Sequence, residues 1–193
     1  GLVANHYGTW GSDYVKSQLT EQKINMPVEK AFPENPDACL VKFASTADKP
    51  NPLDTGEEAQ CYANHYIGVH MHESTVTAGV EGATYGSINS MKPVVAAKAA
   101  AADAAKALDD AKKAGVKDTK ALEAAVAKTG ADAKAFSDVR TSLMNGNFLR
   151  GALLTTYGFS IFAYLGMVAA TILFWLAGIL LLMGFVLFFV KNN

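Results

Sequence analysis

GALLTTYGFSIFAYLGMVAATILFWLAGILLLMGFVLFFV, residues 151–190, carries no charged side chain and decides the class of this chain. An apolar run of about 18 or more residues is long enough to cross a ~30 Å hydrocarbon layer as a helix. Arg150 bounds the run on one side and Lys191-Asn192-Asn193 on the other. The sequence therefore describes an integral membrane protein with most of its mass outside the bilayer. At ~1.5 Å per residue, a helix of the whole run would reach ~60 Å, more than one crossing needs. The economical division is an amphipathic, interfacial segment over 136–159, then a single transmembrane helix over 160–190. Phe136, Val139, Leu143, Phe148 and Leu149 supply the apolar face of the first part, and Gly146 is its expected break. Two short crossings joined near Trp175–Gly178 are the alternative.

Within the span, Ala163, Gly166, Ala170, Ala177 and Gly184 recur at spacings of three, four and seven. Small side chains on one helix face permit close backbone approach, and packing drives helix association in lipid. These five residues are the candidate interface to other integral membrane subunits; the rest of the span faces membrane lipid. No ionisable residue lies in the span, so it offers no proton path or haem ligand.

Outward from the membrane, the chain reads as mainly α. DYVKSQLTEQKI (13–24) forms a short helix that Asn25-Met26-Pro27 ends, since proline biases its predecessor away from helical backbone. The proline-rich stretch 28–56 reads as a long extended loop. A second helix runs to about Glu73, with Thr55 as N-cap and Glu58 three positions on, the capping-box arrangement. Ser74–Ser90 reads as loop. Alanine-rich sequence over 94–114, a break at Gly115 and a restart capped by Thr119 predict a helical hairpin over 93–135. Residues 1–92 would then form a small extracytoplasmic domain, with the hairpin as a peripheral insertion for contact or spacing.

Cys39 and Cys61 are the only cysteines, and no CxxC or other zinc spacing accompanies them. A disulfide closing the loop suits an oxidising, extracytoplasmic compartment, with two buried thiols as the alternative. That would place the N-terminal domain outside the cell membrane and Lys191 inside. The 17 basic and 18 acidic residues sum to −1, which argues against nucleic acid as a partner.

The chemically suggestive cluster is His65, His70, His72 and Glu73 in NHYIGVHMHE. Imidazoles suit Zn or Cu, so His65, His70 and His72 are candidate metal ligands. They lack HExxH spacing, and packing or hydrogen bonding within the domain is the simpler role. No GxSxG elbow, phosphate loop or CxxCH is present, so no catalytic residue is assigned and no enzyme activity is expected.

Three stretches carry a resemblance. VKSQLTEQKINMP (15–27), YANHYIGVHMHE (62–73) followed by ATYGSINS (83–90), and NGNFLRGALLTTYGF (145–159) occur in this order. They resemble the motifs QLxxQKIxFP, YAxxYIxxHL with KTYxxVS, and LRGxLLxxYG of small actinobacterial integral membrane proteins of uncharacterised function. Gln18, Gln22, Lys23, Pro27, Tyr62, Tyr66, His70, Tyr85, Arg150 and Tyr157 match that pattern; His65 and His72 do not. The resemblance implies an extracytoplasmic domain between two membrane helices, the first immediately preceding Gly1, and makes the 93–135 hairpin an addition. The expected function is a non-catalytic accessory or structural subunit of a larger membrane complex, of the respiratory or another redox type. The alternative is a membrane-anchored extracytoplasmic module that binds a metal or ligand through His65, His70 and His72.

Overall fold

The computed structural model describes residues 2–192. Its helices are α1 (Leu2–Glu21), α2 (Ala38–Phe43), α3 (Gly56–Cys61), α4 (Gly68–Thr77), α5 (Lys92–Lys113) and α6 (Lys120–Asn192). A π-helical turn, Tyr62–Ile67, joins α3 to α4, and 3-10 turns occupy Glu29–Ala31 and Ile88–Ser90. Among the described residues there is no sheet; extended pairing is confined to the isolated bridges Asn25–Pro52 and Val28–Ser45. The fold is mainly helical, as the sequence predicts. It divides into two compact units, Gly1–Tyr66 with Gly151–Asn193, and Ile67–Arg150.

In the first unit α1 is longer than the expected 13–24 helix. Gly8 and Gly11 extend it, and both meet the apolar helix: a Cβ at Gly8 would run into the Met167 side chain, and one at Gly11 would lie 3.0 Å from the Ala163 Cβ. Helix-lowering glycines are thus retained where two helix backbones approach closely. Gly56, at the start of α3, abuts Ser160 in the same way. Lys23, with φ 53°, turns the chain out of α1, whose last carbonyls accept from Gln22 and Lys23 N–H.

The loop that follows is tied down by polar contacts. Met26 N–H donates to the Asn51 carbonyl, Leu53 N–H to that of Ile24, and Ser45 N–H to that of Pro27. Val15, Leu19, Met26, Leu40, Leu53, Ala59, Cys61 and Ala63 are buried in this unit, and so is Leu153 from α6. Towards its C-terminal end α6 is apolar on every side and exposed almost throughout, Leu181 to 75 % and Phe188 to 62 %. Such a helix has the length and composition to cross a membrane.

The alternative of two short crossings is not formed, because α6 continues without a turn through Trp175 and Gly178. The expected break at Gly146 is absent too. A Cβ there would lie 2.6 Å from the Met71 sulfur, so this glycine serves helix packing within the second unit.

The second unit has its own core. Val80, Ala83, Ile88, Val94 and Leu143 are buried, with Met71, Ala78, Met91, Phe136 and Val139 against them. Gly79 and Gly82, at φ 68° and 74°, make the turn that follows α4. Gly115, at φ 73°, closes the turn between α5 and α6, and α6 runs on past residue 135 without a break. Along α5 the part-buried positions are Ala97, Ala101, Ala104, Leu108 and Ala111; along the facing stretch of α6 they are Leu122, Val126, Thr129 and Ala133. This alternation of three and four is the seam of a pair of antiparallel helices packed through small side chains.

Candidate metal centre beside the disulfide

Cys39 and Cys61 form the disulfide that the sequence suggests, joining α2 to α3 with their Cα atoms 6.0 Å apart. Each helix starts on a cap that the local sequence supplies. Asp37 caps α2, its carboxylate accepting from Cys39 N–H at 2.9 Å. Thr55 caps α3 and completes the capping box with Glu58. Glu58 is 6 % exposed and serves as the hub of the loop. Its carboxylate accepts from Asp54 N–H at 3.1 Å, Thr55 N–H at 3.0 Å, the Thr55 hydroxyl at 2.9 Å and the Asn51 amide at 3.1 Å. Asn51 in turn donates to the Phe43 carbonyl at the end of α2. The loop thereby fixes α2 relative to α3, and with it the two cysteines.

After Cys61 the helix widens into the π turn. A π turn holds more residues than the 3.6 of an α turn, so side chains four apart stay more nearly in line. His65 is four residues beyond Cys61, and its ring is directed back towards α2, with Nδ1 3.5 Å from the Asp37 carboxylate. Donor atoms of Asp37, Cys39 and His65 all lie within 4.8 Å of one another. Asp37 is exposed and the other two are partly so, whereas Cys61 is fully buried. Carboxylate and imidazole are donors that Zn takes, imidazole also suits Cu, and the Cys39 sulfur would add to them only as a thiolate.

Beside the cluster, the Tyr62 and Tyr66 rings meet at a tilt of 45°, with centroids 5.0 Å apart. Burial pushes the Tyr62 hydroxyl above the ordinary tyrosine range, and the neighbouring Tyr66 adds to the shift. Tyr62 is therefore a neutral phenol at neutral pH, not an anionic ligand.

Of the three histidines read from the sequence, His65 lies in this cluster. His70 Nδ1 is 2.8 Å from Glu73 on the next turn of α4, and His72 Nε2 is 4.0 Å from Glu81. Asp37 escaped the sequence reading because it sits in a proline-rich segment that looks like open loop. The available signal was an Asp before ACLVKF that also stands two positions from a cysteine, paired with a Cys-x-x-x-His spacing at 61–65.

A second feature of the first unit lies along the membrane helix. Tyr7, Trp10 and Tyr14 of α1 and Phe159 and Phe162 of α6 wall an open apolar cleft of about 430 Å³, with Gly8, Gly11, Ala163 and Gly166 as its floor. Of the five small residues proposed as an interface, Ala163 faces Gly11, Gly166 lines the cleft, and Ala170 is buried to 3 % exposure. Ala177 and Gly184 are exposed.

No protein family, curated protein or solved structure matches this chain, so the resemblance of its three motifs stands on those residues alone.

Proposed function

We propose that this chain is a membrane-anchored module that binds Zn or Cu on a face held outside the cytoplasm. The observation that carries this reading is the convergence of the Asp37 carboxylate and the His65 imidazole beside the Cys39 sulfur, atoms within 4.8 Å of one another on helix ends fixed by capping and by the Glu58 hub, the sulfur being a ligand only as a thiolate. The disulfide supports an oxidising compartment for this face. The exposed apolar length of α6 supplies the anchor, with Lys191 on the cytoplasmic side. The experiment is elemental analysis of the chain isolated from its own membrane in mild detergent, and again after equilibration with Zn2+ or Cu+. Bound metal that His65→Ala removes, with the helical circular dichroism retained, is the expected result. A chain that arrives without metal and takes up neither ion, whether its disulfide is closed or reduced, overturns the reading.

A second reading, an accessory subunit of a larger membrane complex of the redox type, is favoured by the aromatic-walled cleft on the exposed membrane helix. Aromatic rings over a floor of small residues suit the packing of another helix. Co-purification tests it: a stoichiometric large partner, above all one with haem absorption bands, establishes the subunit. A lone chain or a homodimer removes it.

A further inference from the structure

We infer that the Cys39–Cys61 disulfide is the gate of the metal centre: opening it by a dithiol reductant assembles a four-donor Zn2+ site from Asp37, Cys39, Cys61 and His65, and closing it expels the ion. This inference rests on the metal-binding reading above.

Thiolate, not disulfide sulfur, is the metal ligand. While Cys39 is bonded to Cys61, the cluster keeps only one carboxylate and one imidazole as strong donors. Two donors that are partly open to water hold a divalent ion weakly. Opening the bond changes the count: the Cys39 sulfur, already within 4.8 Å of the Asp37 and His65 donors, becomes a thiolate ligand, and the Cys61 sulfur, freed beside it, is brought in as a fourth by rotation of its side chain. Two sulfurs, one nitrogen and one oxygen are four donors of the types that Zn takes, the number a tetrahedral site needs.

The geometry suits the change. With Zn–S bonds of about 2.3 Å, two sulfurs on one ion lie less than ~4.6 Å apart. Cα atoms at 6.0 Å allow that separation by side-chain rotation alone. One Asp37 oxygen is already committed to Cys39 N–H, which leaves the other, the one facing His65, to meet an ion. The Thr55–Glu58 capping box and the Asn51 bridge hold α2 and α3 without the disulfide, so the donors stay near one another after it opens.

The chemistry balances. The dithiol reductant gives up two electrons and two protons and becomes a disulfide; the Cys39–Cys61 bond breaks and both cysteines become thiols. Zn2+ then displaces one proton from each thiol, so capture releases two protons to solvent. In the reverse direction, exchange with an oxidising disulfide re-forms the bond, and the ion leaves with two donors lost.

The test uses the full chain in lipid nanodiscs, equilibrated with Zn2+ after oxidation or after reduction with a phosphine, which does not compete for the metal as a dithiol does. Metal per chain is measured by elemental mass spectrometry, and Co2+ in place of Zn2+ reports thiolate ligation by its charge-transfer absorption. About one Zn2+ per reduced chain is expected, with little on the oxidised chain, release on re-oxidation and a loss of at least about tenfold in affinity for Cys61→Ser or His65→Ala. Equal Zn2+ on the oxidised and reduced chains overturns the gate and leaves the metal-binding reading standing. No Zn2+ on either overturns both. Circular dichroism covers the case in which reduction melts the domain: helical signal restored by Zn2+ supports the gate, because binding and folding are then coupled, and signal that Zn2+ does not restore overturns it.

Discussion

The loop region of the first unit, residues 22–61, and the hairpin of the second, residues 92–135, are fixed by opposite means. The loop region has only short helical pieces, Glu29–Ala31, α2 and α3, and its order is concentrated in a few groups: one buried carboxylate at Glu58, one amide at Asn51, one hydroxyl at Ser45 and one disulfide. The hairpin is almost all regular structure, and its order is spread over many small contacts. Its seam is mostly alanine, and its ion pairs, Lys106–Asp110, Lys113–Asp109 and Lys134–Asp138 just beyond it, lie on the surface. A region held by few strong contacts places particular side chains accurately, as a metal centre requires. A region held by many weak ones keeps its form under substitution, as a spacer or contact arm requires.

This contrast is open to direct attack, and hydrogen exchange read by mass spectrometry resolves the two regions separately. The largest effect is expected from Glu58→Ala. It leaves two backbone N–H groups and a hydroxyl without their acceptor and takes from the Asn51 amide one of its two, at about 1–3 kcal/mol for a buried group so orphaned; with partial rescue by water the sum is about 4 kcal/mol. Exchange over residues 24–56 should accelerate sharply while residues 94–113 keep their protection. Acceleration of both to the same degree would show that the two regions unfold as one, and the contrast would fail.

Removing the disulfide by replacing both cysteines with serine comes next. The loop it closes has a sequence separation of 22, for which chain entropy gives about 3 kcal/mol. The capping box should hold α3 together in this variant, so the exchange should rise chiefly between residues 28 and 45. If protection within 56–61 is lost as well, the disulfide and not Glu58 is the organising contact.

How much of this was legible in the sequence follows the same divide. The Thr55–Glu58 capping box, the hairpin and the apolar tail are local patterns, each set by residues within one or two turns, and the structure has them. The Cys39–Cys61 pairing was legible because there is only one way to pair two cysteines. What the sequence hid depends on contacts made at a distance. Gly146 lowers helix propensity locally and reads as a break until a neighbouring helix is present to need the space, a need that Gly8 and Gly11 meet in α1. The π turn has no sequence signature, and without it the closeness of His65 to Asp37 is not visible. The histidine-rich run drew attention to residues whose partners, Glu73 and Glu81, are chain neighbours, while the carboxylate that meets His65 is 28 positions away, at Asp37.

In the hairpin the expected effects are smaller. Leu108→Ala removes one of the few large side chains from the seam. Since full burial of a leucine contributes about 1.5–3 kcal/mol, a half-buried one should cost about 1 kcal/mol, read as faster exchange around residues 104–111. A change that also loosened the core at Val94 and Leu143 would mean that the arm is not a separate set of weak contacts.

The smallest effect, and the sharpest check on the idea of dispersed order, lies in the surface ion pairs. Both partners of Lys134–Asp138 are largely exposed, at 73 % and 63 % of their side-chain surface. Such a pair stabilises a helix by about 0.2–0.5 kcal/mol, and less when the base precedes the acid, as here. Lys113–Asp109 has the favourable order, and Lys113 also stands in the last turn of α5, where a positive charge meets the helix C-terminus. Lys113→Ala should therefore cost more than Lys134→Ala, and both should cost less than about 1 kcal/mol, with the difference shrinking as salt is added. Should Lys134→Ala prove the more damaging, the arm depends on a contact at that side chain beyond its ion pair, and its order is no longer evenly shared.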